Sequence, residues 1–129
     1  MVPKLNIAAD TSVIVMTHDF ERDVMLMPVL LNSSVATIGL LGPKRRLGRL
    51  IHRLFEQGMA LSEHDLGRLR SPVGLDIGAV TPDEIAVSII SELIAIRSQH
   101  AGGRLHDQRR PIHEKSVAQK VEESVVSVA

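Results

Sequence analysis

Three short segments hold the residues whose types and spacing are suited to chemistry. The first is Gly39-Leu40-Leu41-Gly42-Pro43-Lys44-Arg45-Arg46. A glycine turn that feeds a helix exposes the free backbone N–H groups of the helix start, and the bases beside it add cationic donors suited to a phosphate. Glycine at 42 lets an anion reach the backbone with no Cβ in its way. Lys44, Arg45 and Arg46 leave a helix in different directions, so at most one or two of them face a ligand. The alternative is a tight turn followed by a solvated basic face that also carries Arg49 and Arg53. The second segment is Thr17-His18-Asp19, at the end of an apolar run. His18 can exchange a proton near neutral pH and Thr17 can hydrogen-bond a ligand, whereas Asp19 is already accounted for as a helix N-cap. The third is Gly74-Leu75-Asp76-Ile77-Gly78-Ala79, where glycines flank one carboxylate. Asp76 either accepts hydrogen bonds from a ligand, such as the N–H pair of an amino-pyrimidine, or satisfies its own loop backbone.

The candidate ligand-binding residues are therefore Thr17, His18, Gly39, Gly42, Lys44, Arg45, Asp76 and Gly78. No catalytic residue is assigned. His52 and His64 read as surface residues, and His100, His106 and His113 lack the helical spacing of metal ligands, so no metal site is assigned either.

The elements that must position these segments follow from periodicity. Thr11–Thr17, TSVIVMT, is β-branched and apolar without alternation, which predicts an interior strand of a parallel sheet. Asp19 then caps a helix from about Phe20 to Leu31, with Glu21 and Asp23 in its acidic first turn and Pro28 predicting a kink or an early end. Ala36–Gly42 reads as a second strand. Pro43 suits the first position of the next helix, whose apolar face is Leu47, Leu50, Ile51, Leu54 and Phe55 and whose stop is Gly58. Ser62 and Asp65 start a short helix ending near Pro72. Pro72–Val80 is a glycine-rich loop with room for a short strand. Thr81-Pro82-Asp83-Glu84 opens the clearest helix, with an apolar stripe of Ile85, Ile89, Leu93 and Ile96 joined by Ala86, Ile90 and Ile94. Past Gln99 the period is lost, and residues 100–129 are expected to be a disordered tail behind a domain at 1–99. Strand-to-helix units with short connections imply an α/β fold: a partial Rossmann-like, doubly wound parallel sheet, the second half of such a fold. No G-x-G-x-x-G fingerprint follows the first strand. So little sheet, with an open edge, implies a homo-oligomer or a missing half-domain partner.

Composition narrows the function. Fifteen basic and fifteen acidic residues cancel, which argues against a nucleic-acid or membrane-surface binder. Two phenylalanines, with no Trp or Tyr, leave no platform for base stacking. The absence of cysteine removes thiolate metal sites and persulfide chemistry carried by this chain itself. No stretch approaches the roughly 20 apolar residues of a membrane span, so a cytoplasmic location is expected.

Taken in order, T-H-D after a strand, G-L-L-G followed by bases, and P-V-G-L-D-I-G-A-V-T-P-D-E-I-A at Pro72–Ala86 resemble the carboxyl-terminal Rossmann-like domain of the XdhC family, over about Asp10 to Arg97. The resemblance implies an accessory protein rather than an enzyme: one that binds molybdenum cofactor (molybdopterin), cooperates with a sulfurtransferase, and delivers the cofactor to a xanthine dehydrogenase-type molybdoenzyme. It also implies that the glycine turn and its bases face the cofactor's phosphate, with the T-H-D and G-L-D-I-G loops lining the same crevice. The family commonly has serine where this chain has Pro43, which removes a hydroxyl and a backbone N–H from that cradle. The family's upstream domain and first Rossmann half are expected to be missing. The alternatives are an NAD(P)-binding oxidoreductase fragment and an inactive remnant.

Overall fold

The computed structural model describes residues 7–109 of the chain, and these divide into two compact units between Val73 and Gly74. In the first unit three strands run parallel in the order β1 (Ser12–Val15), β2 (Thr37–Leu40) and β3 (Leu69–Arg70). Val13 pairs with Ile38, and Ile38 with Leu69, across the sheet. This is the expected partial Rossmann-like fold. Every residue of β2 is buried, Thr37 included, as befits a central strand, whereas β1, expected to be interior, is an edge of the described sheet and buries only Val15.

Helix α1 (Phe20–Leu31) starts where the sequence places it, because the Asp19 carboxylate accepts from the Glu21 and Arg22 N–H groups at 3.0 and 3.3 Å. It runs through Pro28 without an early end. Helix α2 (Arg45–Glu56) begins two residues beyond Pro43, so the proline sits outside the helix rather than at its first position. The two helices lie against each other and bury Val24, Met27, Leu30, Leu50 and Leu54 with Val15, Ile38 and Leu40 of the sheet. Phe55, expected on that face, is 67% exposed.

A capping box of Ser62 and Asp65 opens α3 (Glu63–Arg68). Its last residue, Arg68, is buried. The guanidinium donates to the carbonyl oxygens of Leu31 (2.8 Å), Ser33 (3.0 Å) and Val35 (3.2 Å) and to Asp65 Oδ1 at 3.0 Å. The carbonyls left open at the end of α1 are thus satisfied by a side chain from 37 residues away, as a buried helix end requires. Strand β3 follows at once. The two-residue strand escaped the sequence reading, which allowed a strand only within Pro72–Val80, where none forms.

The second unit is built on α4 (Pro82–Ser98), capped by Thr81 with Pro82 at its first position and Glu84 completing a capping box. Ile89 is buried and Ile85, Leu93 and Ile96 are partly buried, but Ala86, Ile90 and Ile94 face solvent instead of joining the stripe. The loop before α4 is held by its own helix. Gly74 N–H donates to Glu92 Oε1 at 3.0 Å, Leu75 N–H to the Ser88 carbonyl at 3.1 Å, and Ser88 Oγ to the Leu75 carbonyl at 2.6 Å. Residues 100–109, expected to belong to the disordered tail, include a 3-10 turn at Leu105–Asp107, and a Cβ at Gly102 would come within 3.1 Å of Leu75. The tail expectation for 110–129 lies outside the described residues.

Candidate anion-binding site

Parallel strands bring the loops that follow β1 and β2 to one sheet edge, the carboxyl edge at which open α/β sheets receive ligands. The first loop carries Thr17-His18-Asp19 and the second Leu41 to Lys44. Leu41 N–H donates to the Val15 carbonyl at 3.1 Å and holds them together.

Beneath the loops lies a network that the sequence reading missed. Asp23, taken there only as an acidic first-turn residue, is 1% exposed. Its Oδ2 receives Arg46 Nε at 2.8 Å and Nη2 at 2.5 Å, and its Oδ1 receives the Thr17 hydroxyl. The Asp19 N–H in turn donates to Thr17 Oγ1 at 3.2 Å. A bidentate, charge-assisted pair fixes both partners in direction as well as distance. Arg46 is thereby committed to the protein, and so is Thr17, whose single proton goes to the carboxylate. A signal for Asp23 did exist: it sits four residues before buried Met27, on the apolar face of α1, and a carboxylate on such a face needs a cationic partner.

Gly42 has φ +129°, and a Cβ there would lie 3.1 Å from Arg46 Cδ. Only glycine suits that backbone without strain. Next, Lys44 stands at the N-cap of α2 with no side-chain cap, and no acidic residue occupies the first turn. Among the described residues, the N–H groups of Gly42, Lys44 and Arg45 have no backbone acceptor, and Lys44 and Arg45 are exposed and without a carboxylate partner. Two cations beside the positive end of a helix repel it unless an anion intervenes. Positive potential thus collects at one rim, with free N–H donors behind it.

The remaining candidates are placed as follows. His18 is exposed, with a left-handed φ of +57°, on the β1 side of this edge. Gly39 lies inside β2, where a Cβ would come within 2.7 Å of Ile14 and 2.8 Å of Val73, so its missing side chain serves sheet packing. Asp76 and Gly78 belong to the second unit. Both are exposed, and the Asp76 carboxylate makes no hydrogen bond or ion pair among the described residues. It is therefore not satisfying its own loop.

Residues 2–93 match the family model described as the XdhC Rossmann domain. The chain belongs to the XdhC Rossmann-domain family. It is 33% identical over 110 residues to the uncharacterized protein YqeB of Escherichia coli (strain K12), covering 85% of this chain and 20% of that protein. Over 88 residues it is 36% identical to a probable xanthine dehydrogenase subunit of Bacillus subtilis (strain 168), covering 68% of this chain and 24% of the relative. The crystal structure of a xanthine dehydrogenase from Bacillus halodurans superimposes with a TM-score of 0.59 at 41% identity, over 74% of this chain and 27% of that one. The chain thus spans only about a fifth to a quarter of the relatives it matches. Among the described residues of this XdhC-family chain, no group of three or more His, Cys, Asp or Glu residues is arranged to hold a metal, and no helix is long and apolar enough to cross a membrane.

Proposed function

We propose that this XdhC-family chain supplies the phosphate-holding part of a molybdenum-cofactor site and acts as an accessory protein to a xanthine dehydrogenase-type molybdoenzyme. The observation that carries the reading is the bare amino end of α2: a glycine at φ +129°, an uncapped helix start, and two exposed cations without carboxylate partners among the described residues. Those features fit a terminal phosphate. Gly42 offers an approach free of a Cβ, the backbone N–H groups and the helix dipole stabilise negative charge, and Lys44 or Arg45 closes over it. Arg46, neutralised by Asp23, holds the turn from below. Family membership and the likeness to proteins named as xanthine dehydrogenases support the choice of cofactor. A chain without cysteine would leave sulfur transfer to a separate sulfurtransferase.

The test is anaerobic equilibrium binding of molybdenum cofactor by the purified full chain, with NADP+ as the competing ligand. Cofactor retention that excess inorganic phosphate weakens is the expected result. Binding of NADP+ without cofactor retention would favour the NAD(P)-binding alternative, and binding of neither would indicate an inactive remnant.

A further inference from the structure

The exposed face of α4 has an ordered composition. Asp83, Val87, Ile90, Ile94 and Arg97 are all exposed and follow one another at spacings of four, three, four and three residues, which places them on one line along the helix. The three apolar members are 57%, 55% and 47% exposed. Three branched aliphatic side chains held in water along one helix face are costly, at roughly 25 cal/mol per Å² of apolar surface. Neither Asp83 nor Arg97 is in an ion pair among the described residues.

The charged ends of the line are equidistant from Ile90, the acidic one seven residues before it and the basic one seven after, with Val87 three before and Ile94 four after. The geometry points to a second copy of this chain as the occupant, with two α4 helices packed antiparallel about a two-fold axis at Ile90. In that arrangement Ile90 meets its counterpart, Val87 lies beside the partner helix's Ile94 position, and each Asp83 meets the Arg97 position of the other copy. Such a surface is self-complementary, as a two-fold interface must be. A parallel pairing would set acid against acid and base against base. This contact is independent of the open sheet edge from which the sequence predicted association, and it does not rest on the cofactor reading. One 17-residue helix gives less contact than the roughly 1,600 Å² of a standard interface, so the dimer is weak, with a Kd on the order of tens of micromolar.

Sedimentation equilibrium of the full chain from about 5 to 300 µM brackets that range. A reversible monomer–dimer equilibrium is expected, and a chain that stays monomeric throughout would overturn the inference. Ile90→Asp, at a solvent-facing position, should weaken the dimer at least about tenfold with an unchanged circular dichroism spectrum. A dimer indifferent to it would place the interface elsewhere and overturn the inference too. Charge reversal gives the second reading. Asp83→Arg and Arg97→Asp should each weaken association several-fold, while the double variant should restore it by re-forming the pairs in reverse. The double variant carries the helix-dipole losses of both single changes, with Arg in the first turn and Asp in the last, so its recovery reads the contact between copies. Failure to recover would exclude the antiparallel register.

Discussion

Asp23 and Arg46 form a two-pronged ion pair between α1 and α2, with Nε and Nη2 at 2.8 and 2.5 Å from one carboxylate oxygen and the Asp23 side chain only 2% exposed. Removing one partner strands the other. Asp23→Ala should cost about 3–5 kcal/mol of folding free energy, the range for breaking a buried pair from one side. The double variant Asp23→Leu/Arg46→Met should cost clearly less than the sum of the two single changes. Urea denaturation of the parent, Asp23→Ala, Asp23→Leu, Arg46→Met and the double variant measures both, and strict additivity would mean that the pair is energetically idle.

Arg68 is the second buried charge. Arg68→Met keeps the aliphatic stem but leaves the Leu31, Ser33 and Val35 carbonyls without their donor, and should destabilise the fold by roughly 3 kcal/mol. Arg68→Lys should recover only part of that loss, because one ammonium group does not reproduce a planar fork. Thermal unfolding that distinguishes neither variant from the parent would show that water substitutes for the clamp.

The partner of Arg68 gives a pH dependence. Burial works against the Asp65 charge, yet the Ser62 N–H, the Arg68 guanidinium and the Ser62 hydroxyl together hold its carboxyl below the usual carboxylate range. A depressed folded-state value means that the unfolded chain takes up the proton first. The stabilisation is therefore complete above the unfolded value of about 3.9 and is lost as pH falls through the lower folded one. Asp65→Asn should be less stable than the parent at neutral pH, and the gap should narrow progressively as pH falls below the unfolded value of about 3.9. Denaturation midpoints across that window decide it, and a gap that persists in acid would assign the loss to packing.

Two glycines predict opposite signs. At Gly39 a Cβ would lie 2.7 Å from Ile14 Cδ1 and 3.0 Å from Val73 Cβ, so Gly39→Ala should cost about 1–3 kcal/mol through overpacking. Gly48 is exposed within α2 with nothing within 4 Å of a Cβ, so Gly48→Ala should stabilise the protein by about 0.4–1 kcal/mol. Paired melting curves test both.

These variants also mark what was legible in the sequence. The runs TSVIVMT and ATIGLLG, the Asp19 and Thr81 caps and the Ser62–Asp65 box act between neighbours in the chain, so α1, α3, α4 and the presence of β1 and β2 could be read directly, whereas the interior placing of β1 was wrong, because strand order is set by distant pairing. The glycine turn with its bases was legible for the same reason. Arg46 and Asp23 are 23 residues apart and Arg68 and Leu31 are 37 apart, and no local pattern announces which distant charge a buried group will meet. Strand β3 has two residues, too few for periodicity to register. On α4 the apolar residues surround much of the helix. Ile90 and Ile94 were therefore assigned to the wrong face, because only packing decides which side turns inward.

Positional binding measurements test the cofactor site most directly. The Kd of molybdenum cofactor is to be compared for the parent chain, Gly42→Val, Lys44→Gln, Arg45→Gln and Arg53→Gln under identical salt. If the turn cradles the phosphate, the more inward of Lys44 and Arg45 contributes a charge-assisted hydrogen bond of about 1.5–3 kcal/mol, so its loss should weaken binding about tenfold or more. Gly42→Val should do at least as much damage, because valine both obstructs the backbone and resists a φ of +129°. Arg53, in the last turn of α2 and paired with Glu21 at 3.0 Å, should matter little. Equal losses from Lys44, Arg45 and Arg53, with Gly42→Val binding as the parent does, would mean diffuse attraction without a cradle and would contradict the account.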